Sequence, residues 1–154
     1  MVERSGYELP FLLLGAFRSL IDELHAELAE RGHALARPVH GFALQAIGPD
    51  GVTSGELGRR LGVSKQAAGK TVTSLLHAGY VTRSPHPTDA RAWVVTRSQR
   101  GTEMLRLSAE IFDRLRGRWV DQLGPDRMHA LETDLATMAR SAASSITEIP
   151  GLLR

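Results

Sequence analysis

The 154 residues carry 19 Lys/Arg against 17 Asp/Glu for a formal net charge of +2, are 42% hydrophobic, and include no cysteine. The length fits one domain whose core needs no staples, and the lack of cysteine excludes disulfides, thiolate zinc sites and thiol redox sensing, which fits a reducing, cytoplasmic setting. The early apolar run from Pro10 to Leu14 is interrupted by Gly15 and Arg18; it is too short to span a bilayer and lacks a secretory cleavage pattern, so the expected protein is soluble and uncleaved, with no membrane partner.

In chain order, Leu9, Leu13, Phe17, Leu20, Leu24 and Leu28 recur at steps of four or three, with Asp22, Glu23, Glu27 and Glu30 on the other faces. That spacing predicts a long amphipathic helix ending at Gly32. Phe11, Leu12, Leu14 and Ile21 widen its stripe beyond what one neighbour covers, which points to a subunit partner. A second helix is expected from Pro38 through Phe42, Leu44 and Ile47 to the Gly48-Pro49-Asp50-Gly51 turn. Thr53 and Glu56 form a T-x-x-E capping box opening a short helix that buries Leu57 and Leu61. Gly62 breaks it with a tight turn. Ser64 then caps a helix that buries Ala68, Val72, Leu75 and Leu76 and stops at Gly79. Lys65, Gln66, Gly69, Lys70 and Thr73 share its opposite side, and all are small, polar or cationic, as a groove-reading face requires.

Tyr80 to Ser84 and Arg91 to Arg97 read as two strands, rich in β-branched residues and joined by Pro85-His86-Pro87-Thr88-Asp89-Ala90. Prolines in that tip are expected to leave it unpaired and projecting. Met104, Leu105, Ile111, Leu115, Trp119 and Leu123 predict a helix from about Gln99 to Leu123. Met128, Leu131, Leu135, Met138 and Ile146 predict another after Gly124-Pro125. The fold class expected is mostly α with a small β-wing: a winged helix-turn-helix flanked by dimerising terminal helices. Its divisions are an N-terminal dimerisation helix over 1–34, a DNA-binding region over 35–101, and C-terminal dimerisation helices over 102–154.

Charge is polarised along this plan. Thr53 to Arg100 contains Arg59, Arg60, Lys65, Lys70, Arg83, Arg91, Arg97 and Arg100 against Glu56 and Asp89, a net +6, while the remaining residues sum to −4. A single-sign field over one face is the footprint of a phosphate binder. The expected partner is double-stranded DNA, with contacts from Ser64, Lys65, Gln66, Lys70 and Thr73 on the second short helix and from Arg83 and Arg91 on the hairpin. Arg91 suits insertion into a minor groove, where a guanidinium meets focused negative potential. Asp89, two residues away, is expected to orient Arg91 and not to touch DNA.

Other motifs carry less. SKQAAGKT, Ser64 to Thr71, differs from the phosphate-cradling G-x-x-x-x-G-K-[ST] only at its first residue, but that loop needs a preceding strand, and a helix is predicted there. His25-Ala26-Glu27 lacks the cysteines of a zinc deaminase. No G-x-S-x-G or H-E-x-x-H occurs, and no two of the six histidines show i, i+4 spacing. No enzymatic activity, cofactor or metal is expected.

The stretch ELGRRLGVSKQAAGKTVTSLLHAGYVTR and the hairpin together resemble the MarR (multiple antibiotic resistance regulator) family, whose wing reads roughly D-x-R-x-x-x-V-x-L-T-x-x-G. Asp89, Arg91, Val95, Ser98 and Gly101 fall in register, with Ser98 replacing threonine. The resemblance implies a homodimer shaped like an open triangle, two winged domains on adjacent turns of a pseudo-palindromic operator, and repression relieved by a ligand. It places a crevice where the first, second and fifth helices meet the winged domain, so a small apolar or aromatic ligand is expected near Phe17, His40, Phe42 and Trp119. Arg97 stands where the family has a buried leucine, and either loosens the base of the wing or reaches for phosphate. Gly58 and Gly69 replace helix-favouring residues, each costing about 1 kcal/mol relative to alanine. The competing function is a dimeric architectural or ligand-binding protein that binds DNA with little sequence preference.

Overall fold

The computed structural model describes residues 5–141. Within them the chain forms α1 (Glu8–Glu30), α2 (Pro38–Ile47), β1 (Val52–Thr53), α3 (Ser54–Leu61), α4 (Lys65–His77), β2 (Val81–Pro85), β3 (Trp93–Arg97), α5 (Gln99–Leu123) and α6 (Pro125–Ser141). The architecture is the expected one, mostly helical with a small antiparallel wing. The Ile146 assignment to the last helix lies outside the described residues.

Chain punctuation acts as its chemistry dictates. The Thr53 hydroxyl accepts from the Glu56 N–H (3.3 Å) and the Ser64 hydroxyl from the Ala67 N–H (3.1 Å), satisfying one orphan donor of α3 and one of α4. The Glu56 carboxylate does not complete a box; it takes the Arg60 guanidinium at 2.6 Å. Both helices end in paired backbone bonds around a left-handed glycine. At Gly62 (φ 66°) these run Val63 N–H to Gly58 O and Gly62 N–H to Arg59 O; at Gly79 (φ 74°) they run Tyr80 N–H to Leu75 O and Gly79 N–H to Leu76 O.

The sheet has the order β1-β3-β2, with Val52 opposite Val95 and Val81 opposite Arg97. Two features differ from the sequence expectation. The third strand, β1, is only Val52–Thr53, too short to carry a periodic signal. Pro85 does not belong to the unpaired tip but ends β2 opposite Trp93; β2 is an edge strand, where a missing N–H costs least.

One cluster of buried side chains joins Leu24 and Leu28 of α1, Leu44 and Ile47 of α2, Leu57, Leu75, Tyr80 and Val95 of the winged region, and Met104, Ile111 and Leu115 of α5. Glu27 pairs with Arg114 and Glu23 with Arg118, so α1 and α5 run antiparallel. Beyond that contact the apolar stripe of α1 is uncovered: Phe11 is 70% and Phe17 45% exposed, with Leu9, Leu12, Leu13 and Leu14 also exposed. Leu135 and Met138 of α6 are exposed likewise. No helix among the described residues is long and apolar enough to cross a membrane.

Candidate nucleic-acid interface

The outer face of α4 is open. Ser64, Lys65, Gln66, Lys70 and Thr73 are exposed, and a Cβ added at Gly69 would meet nothing within 4 Å, so packing gives no reason for that glycine. The Thr73 hydroxyl donates to Gly69 O at 3.1 Å, which leaves its lone pairs outward as acceptors. Gly58 does have a reason: a Cβ there would stand 3.0 Å from Val63 O, so the glycine lets the turn fold back against α3. The phosphate-loop lookalike SKQAAGKT is a cap and a helix preceded by α3, not by a strand.

At the wing tip, Asp89 acts on Arg91 through the main chain, its Oδ1 accepting the Arg91 N–H at 3.0 Å. The ring of His86 adds a second support that the sequence did not signal, its Nδ1 accepting from the N–H groups of Asp89 (3.2 Å) and Thr88 (3.3 Å). Arg91 is exposed. Arg83 lies with its guanidinium 4.8 Å from the centre of the Trp93 ring, a cation–π contact that holds its charge outward. A crevice of about 520 Å³ separates the wing from the starts of α3 and α4; Lys65, His86, Asp89, Arg91 and Trp93 line it together with Thr53, Ser54 and Gly55. The fold thus brings the start of α4 and the tip of the wing to one place.

Three of the eight basic residues of this segment bond the protein's own carbonyls. Arg97 turns to α2: its Nε donates to Leu44 O at 2.7 Å and its Nη2 to Gln45 O at 3.3 Å, at the C-terminal end of that helix. Arg60 donates to Ala46 O (2.7 Å) in the same turn. These cations bond carbonyls in the last turn of α2, at the negative end of the helix dipole, where Gln45 O also accepts the Gly48 N–H at 3.2 Å. Arg100 donates to Ala78 O (3.2 Å) and Gly32 O (2.6 Å) and lies over Tyr80. Arg59, Lys65, Lys70, Arg83 and Arg91 remain exposed.

The four residues expected around a ligand stand in different settings. Phe17 is exposed on α1, and Trp119 is half-buried on α5, seven residues and so about 10 Å beyond Phe112. His40 is fully buried and its ring is spent: Nδ1 accepts the Arg37 N–H (3.2 Å), which places the proton on Nε2, and that donates to the Ser74 hydroxyl of α4 at 2.8 Å. Burial first, then Arg37 and His25, lowers its pKa. Phe42 lines a cavity of about 220 Å³ between α1, α2 and α5, with Ile21, Leu24, Gln45, Ser108 and Phe112 among its other walls.

The sequence model of the MarR family matches residues 38–92. An uncharacterised HTH-type transcriptional regulator of Mycobacterium leprae (strain TN) is 32% identical over 108 residues, 70% of each chain. Among solved structures, a MarR protein from Peptoclostridium difficile DA00132 superposes with a TM-score of 0.71 at 18% identity, over 92% of this chain and 91% of that one. S. aureus MepR, solved as a DNA complex, superposes with a TM-score of 0.69 at 17% identity, over 90% of this chain and 99% of its own. The chain belongs to the MarR family, whose members are DNA-binding transcriptional regulators built on a winged helix.

Proposed function

We propose that the protein is a cytoplasmic homodimeric repressor that reads a pseudo-palindromic operator with α4 and the wing and releases it on binding a small apolar or aromatic ligand. The observation that carries the reading is the shared crevice: Lys65, at the start of α4, and Arg91, at the wing tip, face one channel beside an open polar helix face. Gln66 and Lys70 supply base-edge donors and acceptors, Ser64 and Thr73 flank them, and Arg83 and Arg91 meet phosphate or the minor groove. Asp89 holds the Arg91 backbone in place. That S. aureus MepR, which shares the fold, was solved as a DNA complex supports DNA as the partner.

The exposed stripe from Leu9 to Phe17 supports dimerisation, because apolar surface of that extent on one helix is buried against a partner. Two winged units related by a two-fold axis then meet half-sites about one helical turn apart. The ligand site belongs at the Phe42 and Phe112 cavity and not at Phe17, His40 and Trp119. That cavity is ringed by apolar side chains with the Gln45 amide as a polar group, the mixture small-molecule sites use.

The test is selection of fragmented genomic DNA by the purified protein, followed by competition of the enriched duplex against random duplex. The reading expects a preference of a hundredfold or more, lost together with affinity in Arg91→Ala and relaxed in Gln66→Ala. Equal competition by random duplex would establish the architectural alternative instead.

A further inference from the structure

Trp93 is an aromatic that the packing leaves half outside. Its ring is 48% exposed, whereas indoles in folded proteins are on average well buried. Its place in the sheet explains why. Trp93, Val95 and Arg97 alternate onto one face of β3; Val95 is buried in the core and Arg97 reaches α2, but Trp93 lies one step past the end of the core. Its cross-strand neighbour is Pro85, and Arg83 covers one face of the ring. The crevice between wing and helices is walled by Trp93 but not by Arg83, so the rest of the indole meets that channel.

The channel has one natural occupant. In B-form DNA the major and minor grooves are separated by a sugar–phosphate backbone. A duplex that receives α4 in one groove and the wing in the next must pass that backbone through the gap between them, and the gap is this crevice. Lys65 and Arg91 give the channel its positive charge, while the Asp89 carboxylate is taken up by the Arg91 N–H. Deoxyribose offers an apolar face and phosphate an acceptor, which match an indole ring and its N–H.

We propose that Trp93 is a DNA-contact residue whose indole packs against the sugar–phosphate backbone in this crevice, with its N–H available to a phosphate oxygen. The proposal rests on the reading of α4 and the wing given above, and adds to it an uncharged residue that no cation count would include.

Tryptophan emission reads it directly. The chain has two tryptophans, so the difference between the unmodified protein and Trp93→Phe, each titrated with the duplex enriched from genomic DNA, isolates the Trp93 signal. That signal is expected to change with the titration and to saturate where gel shift saturates. Trp93→Ala is expected to weaken binding about tenfold while log K keeps its slope against log[salt], because no charge is removed. Trp93→Phe, which keeps a ring, is expected to lose less, and circular dichroism of both variants checks that they fold. Emission from Trp93 that stays flat while gel shift reports full binding overturns the proposal, as does unchanged affinity in Trp93→Ala. A shallower salt slope in Trp93→Ala also overturns it, since the indole would then serve only to seat Arg83. If the unmodified protein shifts no duplex, the underlying reading fails and this one with it.

Discussion

A guanidinium at the base of a wing can serve DNA or the fold, and the bonds from Arg97 to Leu44 O and Gln45 O commit it to the fold. Burial lowers its pKa, but a guanidinium starts so high that it stays charged. Arg97→Ala leaves two carbonyls without their charge-assisted donor, so a loss of about 1.5–3 kcal/mol is expected. Urea unfolding should show a lower midpoint with an unchanged m-value, and DNA affinity of the folded protein should keep its salt slope. Unaltered stability with a shallower slope would return Arg97 to the DNA side. The buried histidines carry a pH signature. His40 is held neutral by its bond from Arg37, and His33, 3.2 Å from the Tyr80 hydroxyl, has its pKa lowered by burial and then by Arg100. For both, the folded pKa lies below the unfolded value of about 6.5. Their contribution is therefore complete above pH 6.5 and falls as pH drops from there toward the depressed folded values, because the unfolded chain takes up protons first. The slope is at most about 1.4 kcal/mol per pH unit for each ring. His40→Gln should flatten the dependence of denaturation midpoint on pH between 6.5 and 5; an equal slope in that variant would show that other groups set it.

At the scale of elements, caps and breakers were legible and short or tertiary features were not. Thr53, Gly62, Ser64 and Gly79 mark their boundaries by local chemistry, and α5 begins at Gln99 because the Ser98 hydroxyl accepts the Gly101 N–H at 3.0 Å, the role a threonine would also fill. Two-residue β1 has no period to detect, and Pro85 looked like a breaker because edge-strand tolerance is not visible without the sheet. The inward turns of Arg60, Arg97 and Arg100 depend on carbonyls that sequence analysis cannot place nearby. Of the expected ligand quartet, Phe42 lines a cavity and the His40 ring is taken up by Arg37 and Ser74, a tertiary bond that composition does not signal. Two helical glycines make the difference measurable. A Cβ at Gly101 would fall 2.0 Å from Tyr80 O, where α5 crosses the start of the wing. Gly101→Ala is thus expected to destabilise by about 1–3 kcal/mol or more through overpacking, despite alanine's higher helix propensity. Gly69→Ala meets open space and is expected to stabilise by up to about 1 kcal/mol. Thermal denaturation of the pair decides: stabilisation by both would mean that helix propensity, not the close approach to Tyr80, governs both sites.

For the whole molecule, the segment's +6 overstates what DNA can use. Arg60, Arg97 and Arg100 still contribute to the field that draws a polyanion in, but they reach phosphate only by abandoning carbonyls. Setting aside these three arginines leaves five exposed cations per chain, ten in the proposed dimer, and if half of these engage, log K should fall against log[salt] with a slope of about −4.5. Substitution separates the two populations of arginine. Arg91→Ala removes two exposed charges per dimer and should flatten the slope by up to about 2. Arg100→Ala removes two charges as well, yet its guanidinium is bonded to Ala78 O and Gly32 O, so the slope should hold while stability drops. The measurement is duplex affinity across a salt series for the three proteins, with light scattering in parallel to fix the assembly that binds. Equal flattening by both substitutions would mean that field and not contact sets the salt dependence. A monomer at binding concentrations would halve the cation count and with it the expected slope.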